Sequence, residues 1–188
     1  AYADLQYRRV NYTARGSLDE LGNIGIEDEF NFINPKMGLT FHADENTQLY
    51  ASYAKAQREP NRSDYENGSP RPEVLNDFEL GYRSSGKKTK WSANLYYMGY
   101  KDQLVLTGEL DNVGAPIRQN VGNSYRLGIE AEVSIALSSQ LLWQPNLSLS
   151  RNKNRSFSFQ RDGQVQNLGD TNISYSPSII GGSNLVYA

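Results

Sequence analysis

Between Tyr125 and Leu137 apolar and polar residues alternate without a break: Leu127, Ile129, Ala131, Val133, Ile135 and Leu137 are apolar, with Arg126, Gly128, Glu130, Glu132 and Ser134 between them. Successive side chains of a strand point to opposite faces. This period of two therefore predicts a strand with one apolar face and one face carrying three charges, whereas a helix would scatter both sets. Two settings provide such faces: a soluble sheet packed on a core, or a membrane barrel with lipid outside and water or protein inside.

The same period recurs along the chain. Ala1 to Thr13 reads as a strand, with Tyr2, Gln6, Arg8, Val10 and Tyr12 on one face and Leu5 and Tyr7 on the other. Gly16, Gly22 and Gly25 then break the pattern and predict a long loop over Ala14 to Glu27. Phe30 to Ala43 resumes the alternation, and Pro35, which cannot donate to a ladder, belongs at an edge, a bulge or a strand start. After a polar turn at Asp44 to Asn46, Leu49 to Gln57 is the returning strand. Arg58 to Glu73, with Pro60, Pro70 and Pro72, is a second long loop, followed by a strand at Phe78 to Tyr82 and a turn at Ser84 to Lys88.

Lys90 to Leu106 reads as one long strand, with Trp91, Ala93, Leu95 and Tyr97 on one face and Ser92, Asn94, Tyr96 and Tyr100 on the other. A third long loop covers Thr107 to Ile117, and the opening stretch ends in a turn at Ser138 to Gln140. Leu141 to Arg151 places Leu141, Trp143, Pro145, Leu147 and Leu149 on one face; a polar segment, Asn152 to Asn172, and a last strand, Ile173 to Tyr187, complete the order.

The connections run long, short, long, short, long, short, long. An outer-membrane barrel has short periplasmic turns and long outer loops, while a sandwich with Greek-key crossings has no reason to keep that rhythm. A strand as long as Lys90 to Leu106 exceeds the roughly 9–11 residues that cross a bilayer. Trp91 and Trp143, each beside a short turn, fit an interfacial girdle at the periplasmic side, a reading favoured over the competing one in which each fills a soluble core.

Composition narrows the functional classes. The 188 residues carry 19 Lys and Arg against 21 Asp and Glu, with no basic cluster that points to nucleic acid. There are no cysteines, so disulfides and cysteine-based metal or redox sites are excluded. Mean hydropathy is negative and no apolar run approaches the roughly 18 residues of a spanning helix, which leaves a barrel open because its strands hide their apolar half in alternation. Thirteen Tyr enrich the types that suit strands and membrane interfaces. Ala1 opens on a strand-like pattern with no signal-peptide regions, and the chain is expected to be a piece of something larger.

The segments NPKMGLTF, QLYASYAKAQREPNRSDY, RPEVLNDFELGYRS and ANLYYMGYKDQLVLTGELDNVGAPIRQNVGNSYRLGIEAEV together resemble the distal barrel of TonB-dependent outer-membrane receptors. The resemblance rests on Asn34-Pro35-Lys36, the run from Pro72 to Tyr82, Tyr100 to Gln103 and Gly128 to Glu130, in the family's order, and its style is that of the Bacteroides group. It implies an all-β, antiparallel up-and-down meander of about eight long strands, a segment of a barrel of about 22 strands. It implies a place in the bacterial outer membrane, with outer-membrane lipid, the receptor's own plug domain and its remaining barrel strands as partners. It further implies TonB, reached through a missing N-terminal part, and a scarce nutrient ligand such as a ferric siderophore, cobalamin or a glycan. Residues 1–188 are thus expected to be a partial barrel domain without plug, TonB box or final strand.

The segment Arg58, Glu59, Asn61 and Arg62 is the candidate ligand contact, because it starts at the outer end of a strand and combines two guanidinium forks with an amide. Arginines there can clamp carboxylate, phosphate or catecholate oxygens in two-pronged fashion. The competing reading pairs Arg58 and Glu59 with neighbouring strands. Glu130 and Glu132 share a polar face, where lining a barrel interior is favoured over acid–base catalysis. His42 is the single histidine, so no metal site or nucleophilic triad can be assembled around it; no enzyme and no cofactor are expected. Asp111 to Gly114 and Asp162-Gly163 read as turns rather than calcium loops. Two alternatives remain: a complete eight-stranded outer-membrane barrel, which requires pairing between the first and last strands, and a soluble β-sandwich glycan-binding module, in which Leu127, Ile129, Val133 and Ile135 form a core.

Overall fold

The structure, a computed structural model, describes residues 1–18, 22–66, 68–110, 114–161 and 164–187. Its main element is one antiparallel sheet. The strands are β1 (Tyr2–Leu18), β2 (Gly22–His42), β3 (Thr47–Arg58), β4 (Glu73–Ser85), β5 (Thr89–Lys101), β8 (Asn123–Ala136), β9 (Leu141–Arg161), β10 (Gln164–Asn172) and β11 (Ile179–Tyr187). They pair in the order β1-β2-β3-β4-β5-β8-β9-β10, with β11 also on β9. A separate hairpin, β6 (Leu104–Leu110) with β7 (Pro116–Asn120), and a short helix, α1 (Arg62–Glu66), sit in the connections.

β10 and β11 follow one another along the same edge of β9, covering its outer and inner halves, with Ile173 N and Ser150 N donating across the gap to Asn152 O and Ser178 O. Counting that course as one strand, the meander has the eight long strands the alternation predicts. β1 stands at one edge and β10 with β11 at the other, and no pairing joins them among the described residues. A small barrel closed within this chain is therefore not what these strands form.

Register separates the two faces. Partners in an antiparallel ladder share a face, and the rows Met37-Tyr53-Phe78-Tyr97-Leu127 and Leu39-Ala51-Leu80-Leu95-Ile129-Leu149 run apolar across successive strands. The rows between them, such as Thr40-Tyr50-Gly81-Asn94-Glu130-Ser148, are polar. Among the described residues no second layer covers the apolar face: Met37, Leu39, Phe41, Phe78, Leu80, Leu95, Ile129 and Leu147 are each 46–66% exposed. Leaving such side chains in water costs about 1.5–3 kcal/mol each, so at half exposure these alone forfeit roughly 6–12 kcal/mol, as much as a whole domain's net stability. A sandwich core is excluded by that exposure. Hydrocarbon is the environment the face fits, with Tyr82 stacked on Trp91 at 4.5 Å near one rim and Tyr97 on Tyr125 at 6.2 Å near the other.

On the polar face, tyrosines lie across glycines of the partner strand. Tyr2, Tyr50 and Tyr96 are the register partners of Gly38, Gly81 and Gly128, and a Cβ at any of these glycines would fall well inside contact distance of the opposing tyrosine side chain. The ring fills the space the missing side chain leaves and shields the ladder beneath it.

Several boundaries differ from the sequence reading. Ala14 to Glu27, expected as a loop, is strand on both sides of the undescribed residues 19–21, and Asn152 to Asn172 is largely the β9–β10 hairpin. These ladders stand clear of the apolar band, and backbone pairing holds them with only short apolar alternations, Ile24 with Ile26 and Phe157 with Phe159, to reveal it. Lys90 to Leu106 is not one strand. The chain leaves the sheet after Lys101, where Asp102 adopts φ 55° and donates its N–H to Gly122 O at 2.6 Å, and Leu104 to Leu106 enter the β6–β7 hairpin. The strand at Phe78 to Tyr82 extends from Glu73 to Ser85, and the last strand begins at Ile179 rather than Ile173. Pro35 lies one residue beyond the last β2–β3 pair, where no donor is required. The expected turns at Asp111 to Val113 and Asp162-Gly163 fall outside the described residues.

Candidate functional site

The long connections gather at one rim. The segment between β3 and β4 carries α1, whose start is held reciprocally: Asp64 N donates to Asn61 Oδ1 at 3.2 Å and Asn61 N to Asp64 Oδ2 at 2.8 Å. Asn61 is the cap and Arg62 the first helical residue, both exposed. Tyr65 stacks on Tyr12 at 5.2 Å and donates to Asp28 at 2.6 Å, tying the helix to the β1–β2 hairpin. Burial, reinforced by that bond to Asp28, raises the Tyr65 phenol pKa well above its ordinary value.

Glu59 faces the same hairpin. Its carboxylate receives both terminal nitrogens of Arg8, at 3.0 and 2.6 Å, while Arg8 also donates to Gln57 O and lies over the Phe32 ring at 5.0 Å. Burial pushes the Glu59 pKa up, but its own backbone N–H and the Arg8 guanidinium outweigh that and hold it below the ordinary carboxylate range.

Arg58 and Glu73, register partners on the polar face, pair through Nε at 2.8 Å, and the other Glu73 oxygen accepts the Leu104 N–H at 2.5 Å. Arg71 binds Asp102 at 2.7 Å, and Asn120 bridges the Arg71 backbone to Asp102 O, locking the β3–β4 connection to the β6–β7 hairpin. The bond to Asp102 raises the Arg71 pKa above its ordinary value. Between these parts lies a hollow of about 280 Å³ lined by Arg58, Glu73, Gln103, Leu104, Arg118, Arg126 and Tyr175. A neighbouring hollow of about 400 Å³ is bounded by Asp64, Arg71, Arg118 and Asn120. Arg126 donates to Ser176 at 2.8 Å.

The four expected contact residues are thus distributed. Arg58 lines the hollow, Glu59 turns to Arg8, and Asn61 and Arg62 build α1. Arg118 and Arg126 join Arg58 from distant parts of the sequence, a convergence that spacing along the chain does not disclose, although Arg126 stands on the polar side of the opening alternation. Farther from the rim, Glu79, Glu130, Asn94 and Tyr96 line a further hollow of about 290 Å³ on the polar face.

An open meander with one bare apolar face, aromatic residues near both rims, short turns at one end and polar long loops at the other defines a segment of a transmembrane outer-membrane barrel. Residues 3–186 match the family described as TonB dependent receptor-like, beta-barrel, and the chain belongs to that family. Among curated proteins none matches it. Solved structures similar to it include the copper transporter OprC (17% identity, 87% of this chain and 26% of that one, TM-score 0.70). The ferric yersiniabactin uptake receptor FyuA from Yersinia pestis is another (16%, 97% and 27%, 0.63), as is the FrpB iron transporter from Neisseria meningitidis (18%, 80% and 23%, 0.62). The chain spans about a quarter of the length of these structures, and at such identities the likeness is one of fold.

Proposed function

We propose that residues 1–188 are part of the barrel of an outer-membrane receptor that takes up a scarce nutrient with energy relayed by TonB, and that the ligand is an anionic, oxygen-rich complex of the ferric siderophore kind. The observation that carries the ligand class is the convergence of Arg58, Arg118 and Arg126 on one hollow at the long-loop rim. Glu73 engages only Nε of Arg58, so the terminal nitrogens can fork onto carboxylate or catecholate oxygens. Arg62, on α1 above this rim, is the second member of the proposed contact, with Glu59 and Asn61 fixing the segment. The similar structures, an iron transporter, a copper transporter and a ferric yersiniabactin uptake receptor, favour metal uptake over catalysis. In this reading the free edges of β1 and of β10 with β11 pair with the receptor's remaining strands, and the polar face meets its plug.

The test is ligand binding by the full-length receptor, followed by intrinsic fluorescence quenching over a panel of ferric catecholate, ferric carboxylate, cobalamin and oligosaccharide ligands. A charge-assisted hydrogen bond is worth about 1.5–3 kcal/mol, so Arg58→Ala with Arg62→Ala should weaken an anionic ligand by roughly tenfold or more. Unchanged affinity for the ligand that binds would remove these residues from the site. A neutral ligand insensitive to both changes would replace the siderophore by a glycan.

A further inference from the structure

Where β10 gives way to β11 the chain bulges from the edge of β9. Ile173 N donates to Asn152 O and Ser150 N to Ser178 O, so four residues, Ser174 to Pro177, stand against the single residue Arg151 of β9. A bulge re-aims the side chains it carries. Here they border the polar face: Ser174 and Tyr175 line the arginine-lined hollow, while Tyr175, Ser176 and Pro177 line the hollow of Glu79 and Glu130. Among the described residues only Arg126 and Tyr175 border both hollows.

Tyr175 holds φ at 54°, in the left-handed region, and is 93% exposed. That conformation costs a residue with a Cβ roughly fivefold to thirtyfold in population, and a ring this exposed gains little packing to offset it. Hydrogen bonds hold the bulge instead. Arg126 Nη1 donates to Ser176 Oγ at 2.8 Å, and the same hydroxyl donates to Ser174 O at 3.2 Å, so it clasps the chain on both sides of Tyr175. Ser150 Oγ donates to Pro177 O at 3.2 Å, and Asn152 Nδ2 reaches Ser176 O at 3.4 Å. A hydrogen bond from a charged group is worth roughly tenfold to a hundredfold, enough to offset the strain with little to spare.

We propose that this bulge is a ligand-released latch: an anion that forks onto Arg126 takes the guanidinium from Ser176, and Tyr175 then relaxes out of the left-handed region, moving its ring from the boundary between the two hollows. The latch rests on the reading of Arg126 as a ligand contact. A fork through the terminal nitrogens uses Nη1, so that nitrogen cannot serve the ligand and Ser176 together. Its departure weakens the clasp and leaves the strain at Tyr175 unopposed. Occupancy of the mouth is thereby passed to the wall of the lower hollow, to which Ser150, Asn152 and Ser176 belong.

The experiment is a double-mutant cycle on the full-length receptor in liposomes, read by denaturant titration. Glycine adopts the left-handed region without steric cost, so Tyr175→Gly should raise the folding equilibrium roughly threefold, net of the greater freedom it gives the unfolded chain. With Ser176→Ala already present the residue has left that region, and the gain should turn into a loss. Binding of ferric enterobactin, read by fluorescence quenching, is the second arm. Ser176→Ala should bind about fivefold tighter, because Arg126 no longer has to be released. Tyr175→Gly should bind roughly tenfold more weakly than Tyr175→Ala, which loses the ring but keeps the strain that release relieves. A Tyr175→Gly gain of the same size in both backgrounds, Ser176→Ala binding no tighter than wild type, or Tyr175→Gly binding as tightly as Tyr175→Ala would each overturn the proposal. The cycle needs no ligand, so it decides on the latch even where the mouth takes something other than a siderophore.

Discussion

Gly81→Ala is the substitution on which the reading of the polar face can be tested most directly. The added Cβ would fall well inside contact distance of the Tyr50 ring, with Tyr50 Oη itself at 2.5 Å, so the ring has to swing away. It then gives up its hydrogen bond to Asn94 Oδ1 at 3.0 Å and its place beneath the Arg83 guanidinium, 5.2 Å from the ring centroid. Those contacts are worth about 0.5–1.5 and 0.5–1 kcal/mol respectively. Against them stands a gain of about 0.4–1 kcal/mol from the reduced freedom of the unfolded chain. The balance is a net loss near 1 kcal/mol, and more where the displaced ring clashes in turn. Denaturant titration of the full-length receptor in liposomes measures it, with Gly16→Ala, where nothing lies within 4 Å of the new Cβ, as the comparison. The decisive arm is a double-mutant cycle: with Tyr50→Ala already present, Gly81→Ala should cost nothing or stabilise. Additive effects, or a Gly81→Ala receptor as stable as wild type, would refute the claim that the ring occupies the glycine's space.

Ile129→Cys and Glu130→Cys in full-length receptor in membranes should report opposite surroundings. The first should be quenched by a lipid-borne spin label, the second labelled by a water-soluble thiol reagent, and the same response from both would remove the two-faced sheet. Glu59 gives a pH dependence: its folded pKa is lowered, so the stability it contributes is present above the unfolded value, about 4.3, and is lost as pH falls through the folded one. Protection of amides 59–66, the exchange rate measured relative to the intrinsic rate at each pH, should therefore fall in acid, and Glu59→Gln should lower protection at pH 7 with the acid dependence gone; protection that does not change with pH in wild type would show that the Arg8 clasp does not hold this connection. Asn61→Ala removes the α1 cap at a cost of about 1 kcal/mol, visible as faster exchange confined to α1.

What the sequence discloses is what the bilayer enforces. From Leu127 to Ile135 every second residue must be apolar because lipid lies against it, and that stretch could be read without a structure, as could the faces of β3, β5 and β9. Above the membrane the constraint lapses. Gln164 to Asn172 pairs along β9 with polar side chains on both faces and so looked like loop, while Leu104 to Leu106 carried on the apolar pattern of β5 after the backbone had turned away at Asp102. The site suffers from the same lapse. Arg58 could be selected from its position at a strand end, but Arg118 and Arg126 reach its hollow through a hairpin and a strand that only the fold brings together.

The two sets of cations follow from one parity. Arg58 and Arg126 occupy inward positions of β3 and β8, while Lys55, Lys101, Lys153 and Arg155 occupy outward positions of β3, β5 and β9, and a one-residue slip in register would exchange their faces. The inward pair meets Glu73 and the hollow; these four outward cations meet no described carboxylate, unlike outward Arg9, which holds Glu29. Similar charges on the same or neighbouring strands are thereby given different surroundings. The apolar row beneath the outer set, Tyr97 and Leu127 with their neighbours, is also what fixes the register that keeps the inner set at the mouth. A charge placed at Ile129 should therefore disturb the mouth as well as the lipid face, since the strand can relieve a buried charge most cheaply by loosening the pairing that holds Arg126 beside Arg58.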